Sequence, residues 1–105
     1  MIHVRKVKPE YFEDLLSGAK RFELRREEEG EEPFAVGDYL GLNEYDPGGE
    51  HVDRHARYTG RCLLFEIVYI LRGHELELPG VVVLGLSLKP LCFEDLPGAV
   101  KLKLL

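Results

Sequence analysis

Residues 17–32 read "SGAKRFELRREEEGEE": four cations (Lys20, Arg21, Arg25, Arg26) surround one acid, Glu23, and five glutamates follow. Within this stretch Gly18, Lys20, Glu23 and Arg25 spell G-x-K-x-x-E-x-R. Brought together, an ammonium, a carboxylate and a planar guanidinium can grip a phosphate and a base edge. The guanidinium donates bidentately, the ammonium acts as a point charge, and the carboxylate accepts from an amine or orients the two cations. The plain alternative is a solvated ion-pair ladder on a strand face, worth about 0–1 kcal/mol. The choice between them turns on the elements that carry these residues.

"PEYFEDLLSG" (9–18) reads as a helix of two to three turns. Pro9 suits the first helical position, Glu10 and Glu13 suit the positive end of the dipole, and Gly18 suits a left-handed stop. Tyr11, Phe12, Leu15 and Leu16 give it one face to bury. "KRFELRR" (20–26) then alternates, which predicts a strand with Phe22 and Leu24 packed and with Arg21, Glu23 and Arg25 on a polar face. Lys20 sits in the turn before alternation begins, so its ammonium is free to swing toward that polar face.

Around this unit, "IHVRKV" (2–7) predicts a first strand and "YLGLNEYD" (39–46) another, after a Gly37-Asp38 turn. "PGGEHVDRHARYTG" (47–60) reads as a long polar connection. "RCLLFEIVYILRG" (61–73) is so apolar that it predicts a strand covered on both sides, and "GVVVLGLSL" (80–88) predicts another central strand. Past Pro97-Gly98, alternation of Val100, Leu102 and Leu104 with Lys101 and Lys103 predicts a short edge strand. One helix and five or six strands of non-local order indicate a mostly β (α+β) domain, a small β-barrel with the helix across one opening.

The chain is 105 residues long, one domain spanning 1–105 with room for a single core. Two cysteines, Cys62 and Cys92, without a Cys-x-x-Cys, point to a reducing compartment, and the sequence predicts a cytoplasmic protein. No apolar run approaches the ~20 residues of a membrane span, and no signal-peptide pattern opens the chain. Net charge is −5, distributed in blocks. Residues 27–53 carry ten acids and no Lys or Arg, whereas residues 1–26 carry seven Lys/Arg against four acids. This excludes a whole-molecule basic footprint for nucleic acid and requires any polyanion to meet a local patch. Abundant Glu, Arg and Leu beside few Asn, Gln and Ser fit a heat-adapted chain.

The signature segment resembles that of the ASCH domain, a group of PUA-like β-barrels linked to RNA metabolism. The resemblance extends to His3 and Lys6 in the first strand and "YF" before the "SG-K-FE-R" block. It continues through "FAVGD" leading into "LGLNEYDP", "YTGR" leading into "IVYIL", and "VVVLGLSL". It covers about residues 2–88, leaves 89–105 as an extension, and is greatest to a subgroup of short phage and bacterial ASCH-like proteins. It implies a cleft between barrel and helix that takes RNA or a small nucleotide. Lys20 and Arg25 would supply positive charge there and Glu23 would accept. Tyr45 or Tyr58 would offer a stacking ring, and Arg57 and Arg61 would extend the patch. His3 matches a histidine of the subgroup and would hydrogen-bond into the cleft or serve as a structural histidine.

Some ASCH-like proteins are amidohydrolases that deacetylate N4-acetylcytidine with a signature lysine, a threonine three residues later and a distant glutamate. Lys20 matches the lysine, but Glu23 stands at the threonine position. A lysine becomes nucleophilic where desolvation or a neighbouring cation lowers its pKa, and an adjacent carboxylate acts the other way. Glu66, on a strand face with Leu64, Val68 and Ile70, is the candidate distant acid, with Glu75 and Glu77 as alternatives. The "HVDRH" segment (His51, Asp53, His55) lacks the helix that would make it a zinc site, so neither a metal nor a cofactor is expected. The glutamate run reads as a solvated loop that disfavours non-specific nucleic-acid binding.

The sequence therefore predicts an ASCH-type, RNA- or nucleotide-binding domain acting through Lys20, Glu23 and Arg25, with Tyr58, Arg61 and His3 contributing. The amidohydrolase is the alternative. A protein-interaction module, monomeric or homodimeric through the C-terminal strand, is the second.

Overall fold

A computed structural model describes residues 1–49, 55–87 and 90–93. The chain forms β1 (Ile2–Val7), α1 (Pro9–Ser17), β2 (Phe22–Arg26), β3 (Tyr39–Asp46), β4 (Arg57–Arg72), β5 (Val81–Leu86) and β6 (Leu91–Phe93), with a 3₁₀ turn at Gly73–Leu76. Helix α1 starts at Pro9 and stops at Gly18, whose φ of 84° lies in the left-handed region and whose N–H returns to the Leu15 carbonyl. A β-carbon is disfavoured in that conformation, so the glycine ends the helix and turns the chain toward β2.

Strand order is β1-β3-β4-β5-β2, with β6 also on β4. Pairing of β1 with β3 is parallel and every other pairing is antiparallel. The 16-residue β4 organises the fold, because its first part pairs with β3 and its second with β5. Between Ile67 and Tyr69 the register shifts, leaving Val68 without a partner on β5, and the strand changes neighbours there. An extra residue of this kind bends a strand and increases its twist.

The path is open. Strands β1 and β2 lie at its two ends and share no backbone ladder. A side chain bridges them instead: Arg25 Nη2 on β2 donates to the Lys6 carbonyl on β1 at 2.8 Å.

Paired residues on adjacent strands share a face. Leu40 and Leu42 of β3 therefore face inward beside Phe65 and Leu63 of β4, joined by Val82, Leu84 and Leu86 of β5. Phe12 and Leu15 of α1 close over this core. Fully burying a side chain of this size contributes about 1.5–3 kcal/mol.

Four expectations need correction. Strand β2 is inverted relative to its predicted packing: Phe22 and Leu24 are 48% and 61% exposed, while Glu23 is 3% exposed. The register explains it. Glu23 and Arg25 pair with the buried Leu84 and Val82, and so point inward, whereas Phe22 and Leu24 pair with Gly85 and Val83 on the outer face. The polar connection 47–60 is shorter than expected, because Arg57 and Tyr58 extend the hairpin by pairing with Asp46 and Tyr45. Strand β4 is not covered on both faces, since Val68 and Tyr69 are exposed at its bend. The glutamate segment is not wholly solvated. Arg72 and the Phe34 N–H hold Glu27, Arg5 holds Glu31 at 2.8 Å, and Phe34 is buried. The predicted strand at Val100–Leu104, and His51 and Asp53, lie outside the described residues.

Candidate functional site

Where β1 and β2 meet without a ladder, the seam opens into a cleft of about 430 Å³. The turn from β1 into α1 supplies Lys6, Val7, Lys8 and Tyr11; the turn into β2 and the strand itself supply Lys20, Glu23, Leu24 and Arg25. Lys6 and Leu24 are on the outer face and Val7 and Glu23 on the inner one, so the cleft passes through the seam.

Glu23 organises it. Lys20 Nζ donates to Glu23 Oε1 at 2.6 Å, and Arg25 Nε donates to Oε2 at 2.8 Å. The Arg25 Nη2 is 2.6 Å from the same Oε2. One buried carboxylate thus holds two cations, each about one-fifth exposed, at the cleft wall. Lys20 also lies 4.7 Å from the Tyr11 ring centroid and 5.5 Å from that of Phe22, in cation–π range of both. Among the described residues, Arg25 Nη1 has no hydrogen-bond partner, and Lys6 and Lys8 have no ion-pair partner. Four cations against one carboxylate give the lining a net positive charge, although the chain as a whole is acidic.

The remaining candidates separate into other settings. Arg61 does not line this cleft. Its guanidinium donates to Glu44 through Nε at 2.9 Å and Nη2 at 2.8 Å, and to Glu13 of α1 at 2.6 Å. It also sits 4.3 Å over the Phe12 ring. A register shift between Asn43 and Tyr45 places Thr59, Gly60 and Arg61 opposite Glu44, and Thr59 Oγ1 donates to Glu44 at 2.5 Å. Burial pushes the Glu44 carboxyl up, but the Arg61 and Thr59 donors outweigh it and hold the group below the usual carboxylate range. The two acids in turn hold Arg61 above its ordinary value. These contacts commit Arg61 to joining helix and sheet.

His3 is buried at the far end of β1 from the cleft. Its Nε2 donates to Asp38 at 2.8 Å and its ring packs 4.6 Å from Phe34. That hydrogen bond is the main reason the Asp38 carboxyl is held low. Glu66 is exposed, pairs with Tyr39 and does not line the cleft; Glu77 is exposed after the 3₁₀ turn. Tyr45 and Tyr58 pair across β3 and β4 on the outer face, with ring centroids 5.1 Å apart. Among the described residues no group of His, Cys, Asp and Glu could hold a metal ion, and no helix is long and apolar enough to cross a membrane.

Sequence reasoning did not single out Lys8 and Tyr11 as site residues. Their signal is positional: β1 ends at Val7 and α1 starts at Pro9, so whatever lies between must border the seam. The role of Glu44 depends on a bulge that alternation does not reveal.

No curated protein matches this chain. Residues 2–86 match the family described as a domain of unknown function (DUF3850), which covers β1 through β5, and the chain belongs to that family.

Proposed function

We propose that this member of the family binds RNA or a nucleotide, with a phosphate seated in the seam cleft against Lys20, Arg25, Lys6 and Lys8. The observation that carries this reading is the charge inversion: a cationic cleft, organised by one buried carboxylate, in an acidic chain. Electrostatic attraction of this kind is short-ranged in salt, so the local patch governs and not the net charge. Lys20 and Arg25 are pre-positioned by Glu23, so little side-chain entropy remains to be lost when an anion arrives.

The ASCH-type reading of the fold and of the G-x-K-x-x-E-x-R signature belongs to the same proposal. The Arg25 bridge across the β1–β2 seam supports it, since this is where a barrel would have to close. In this reading Glu23 orients cations and does not meet the base, because both its oxygens already accept.

Fluorescence anisotropy with a short labelled RNA tests the proposal. Replacing Lys20 with alanine should weaken binding about ten- to hundredfold, the value of one charge-assisted hydrogen bond. Equal affinity in the wild type and Lys20→Ala would refute the placement of the phosphate. N4-acetylcytidine in the same series separates binding from catalysis: turnover that disappears in Lys20→Ala would replace the binding account with the amidohydrolase one.

A further inference from the structure

The cleft does not end at Lys6. Its ammonium lies 4.6 Å from the Tyr45 ring centroid, and Tyr45 in turn meets Tyr58 edge-to-face at 5.1 Å with the ring planes 62° apart. All three side chains are on the outer face of the sheet, because Tyr45 pairs with Tyr58 and Lys6 pairs with Asn43, two residues before Tyr45. Tyr58 is 43% exposed. Cation and rings thus form one continuous line from the seam onto the hairpin of β3 and β4. On the other side of the cleft, Tyr11 borders Lys20.

We infer that the ligand is a single strand of RNA at least two nucleotides long: one phosphate in the seam cleft and a neighbouring base stacked on the Tyr45–Tyr58 pair. This rests on the reading of the cleft as a phosphate site and adds the length and strandedness of what it takes. The chemistry favours a single strand for two reasons. A partly exposed tyrosine offers a π-face only to a base released from pairing, and stacking on aromatic side chains tolerates any base. A mononucleotide fills the cleft alone and leaves the two rings unused. A duplex brings more phosphates than the four cations of this cleft can meet, and the chain as a whole is acidic.

Uridine monophosphate, the ribotrinucleotide UUU and a short blunt RNA duplex, titrated against the wild type, Tyr58→Ala and Tyr58→Phe, decide it. The wild type should bind UUU at least fivefold more tightly than the mononucleotide, the lower end of what one stacked base contributes. Tyr58→Ala should abolish that advantage and Tyr58→Phe, which keeps the ring, should retain it. Thermal melts of both variants confirm that each is folded at the assay temperature. Equal affinity for UUU and the mononucleotide, an advantage that survives Tyr58→Ala, or tightest binding of the duplex would each overturn the track while leaving the phosphate cleft in place. If no RNA species binds, the cleft reading itself fails along with the track.

Discussion

Replacing Arg61 with methionine separates a residue that holds the fold from one that meets a ligand. Methionine keeps an unbranched apolar stem over Phe12 and removes the charge. Glu44, 3% exposed, then loses two hydrogen bonds, at 2.9 and 2.8 Å, and keeps only the one from Thr59. Removing one partner of a buried ion pair costs about 3–5 kcal/mol. Arg61 is 28% exposed and Thr59 remains, so the lower end applies, about 3 kcal/mol. For a domain of this size that lowers Tm by roughly 10–20 °C.

The same substitution has a pH signature. Without the Arg61 donor, burial dominates at Glu44 and pushes its carboxyl up, so mild acid neutralises it in the folded variant. Differential scanning calorimetry should therefore show the gap between wild type and Arg61→Met narrowing between about pH 7 and about pH 5. RNA affinity, measured well below Tm, should fall less than for Lys20→Ala. A stability loss under about 1 kcal/mol, or a gap that does not narrow in acid, would refute the assignment of Arg61 to Glu44.

Three further outcomes are expected. Glu27, Asp38 and Glu44 all have carboxyls held below their ordinary range: Glu27 chiefly by Arg72, Asp38 chiefly by His3, and Glu44 by Arg61 and Thr59 against its burial. A depressed folded-state value gives stability that is complete above the unfolded carboxylate range and lost as pH falls through and below it, so Tm should decline steadily below about pH 4; a flat profile from there to about pH 2 would contradict the pairings. A β-carbon on Gly85 would meet Tyr69 Cβ at 2.9 Å, so Gly85→Ala should cost about 1–3 kcal/mol in urea unfolding, and a neutral result would mean β4 and β5 are farther apart than described. Among the described residues the fully buried Asn43 amide has no hydrogen-bond partner, so Asn43→Val should stabilise by about 1–3 kcal/mol; destabilisation would show that the amide is satisfied after all.

The elements were legible because each carries its own local signal. Pro9 and Gly18 bracket α1, and the alternation of β1 and β3 reports directly which residues share a face. Strand β2 shows where such signals stop. Phe22 and Leu24 are the apolar set of that strand, so alternation alone assigns them to the core, yet pairing with β5 turns them outward. The inward side at the seam is filled instead by Glu23, with Lys20 and Arg25 satisfying its carboxylate. Polar residues that neutralise each other can occupy a buried position that hydropathy reserves for apolar ones. Arg61 shows the complementary gap: its charge is visible in the sequence, but its partner Glu44 is brought to it by a bulge that depends on the hairpin register. The cluster at Lys20, Glu23 and Arg25 was readable because its members are close in sequence; Lys6, Lys8 and Tyr11 join it only through the return of β1 to the seam.

The central claim is that the seam cleft seats a phosphate on Lys20 and its neighbouring cations, and the salt dependence of RNA binding tests it most directly. For a single strand, the logarithm of the binding constant should fall linearly with the logarithm of salt concentration, with a slope of about −0.7 per phosphate neutralised. Lys20→Ala should weaken binding and make that slope shallower by about 0.7, the share of one lost contact. An affinity insensitive to salt, or a slope unchanged by Lys20→Ala, would contradict the account.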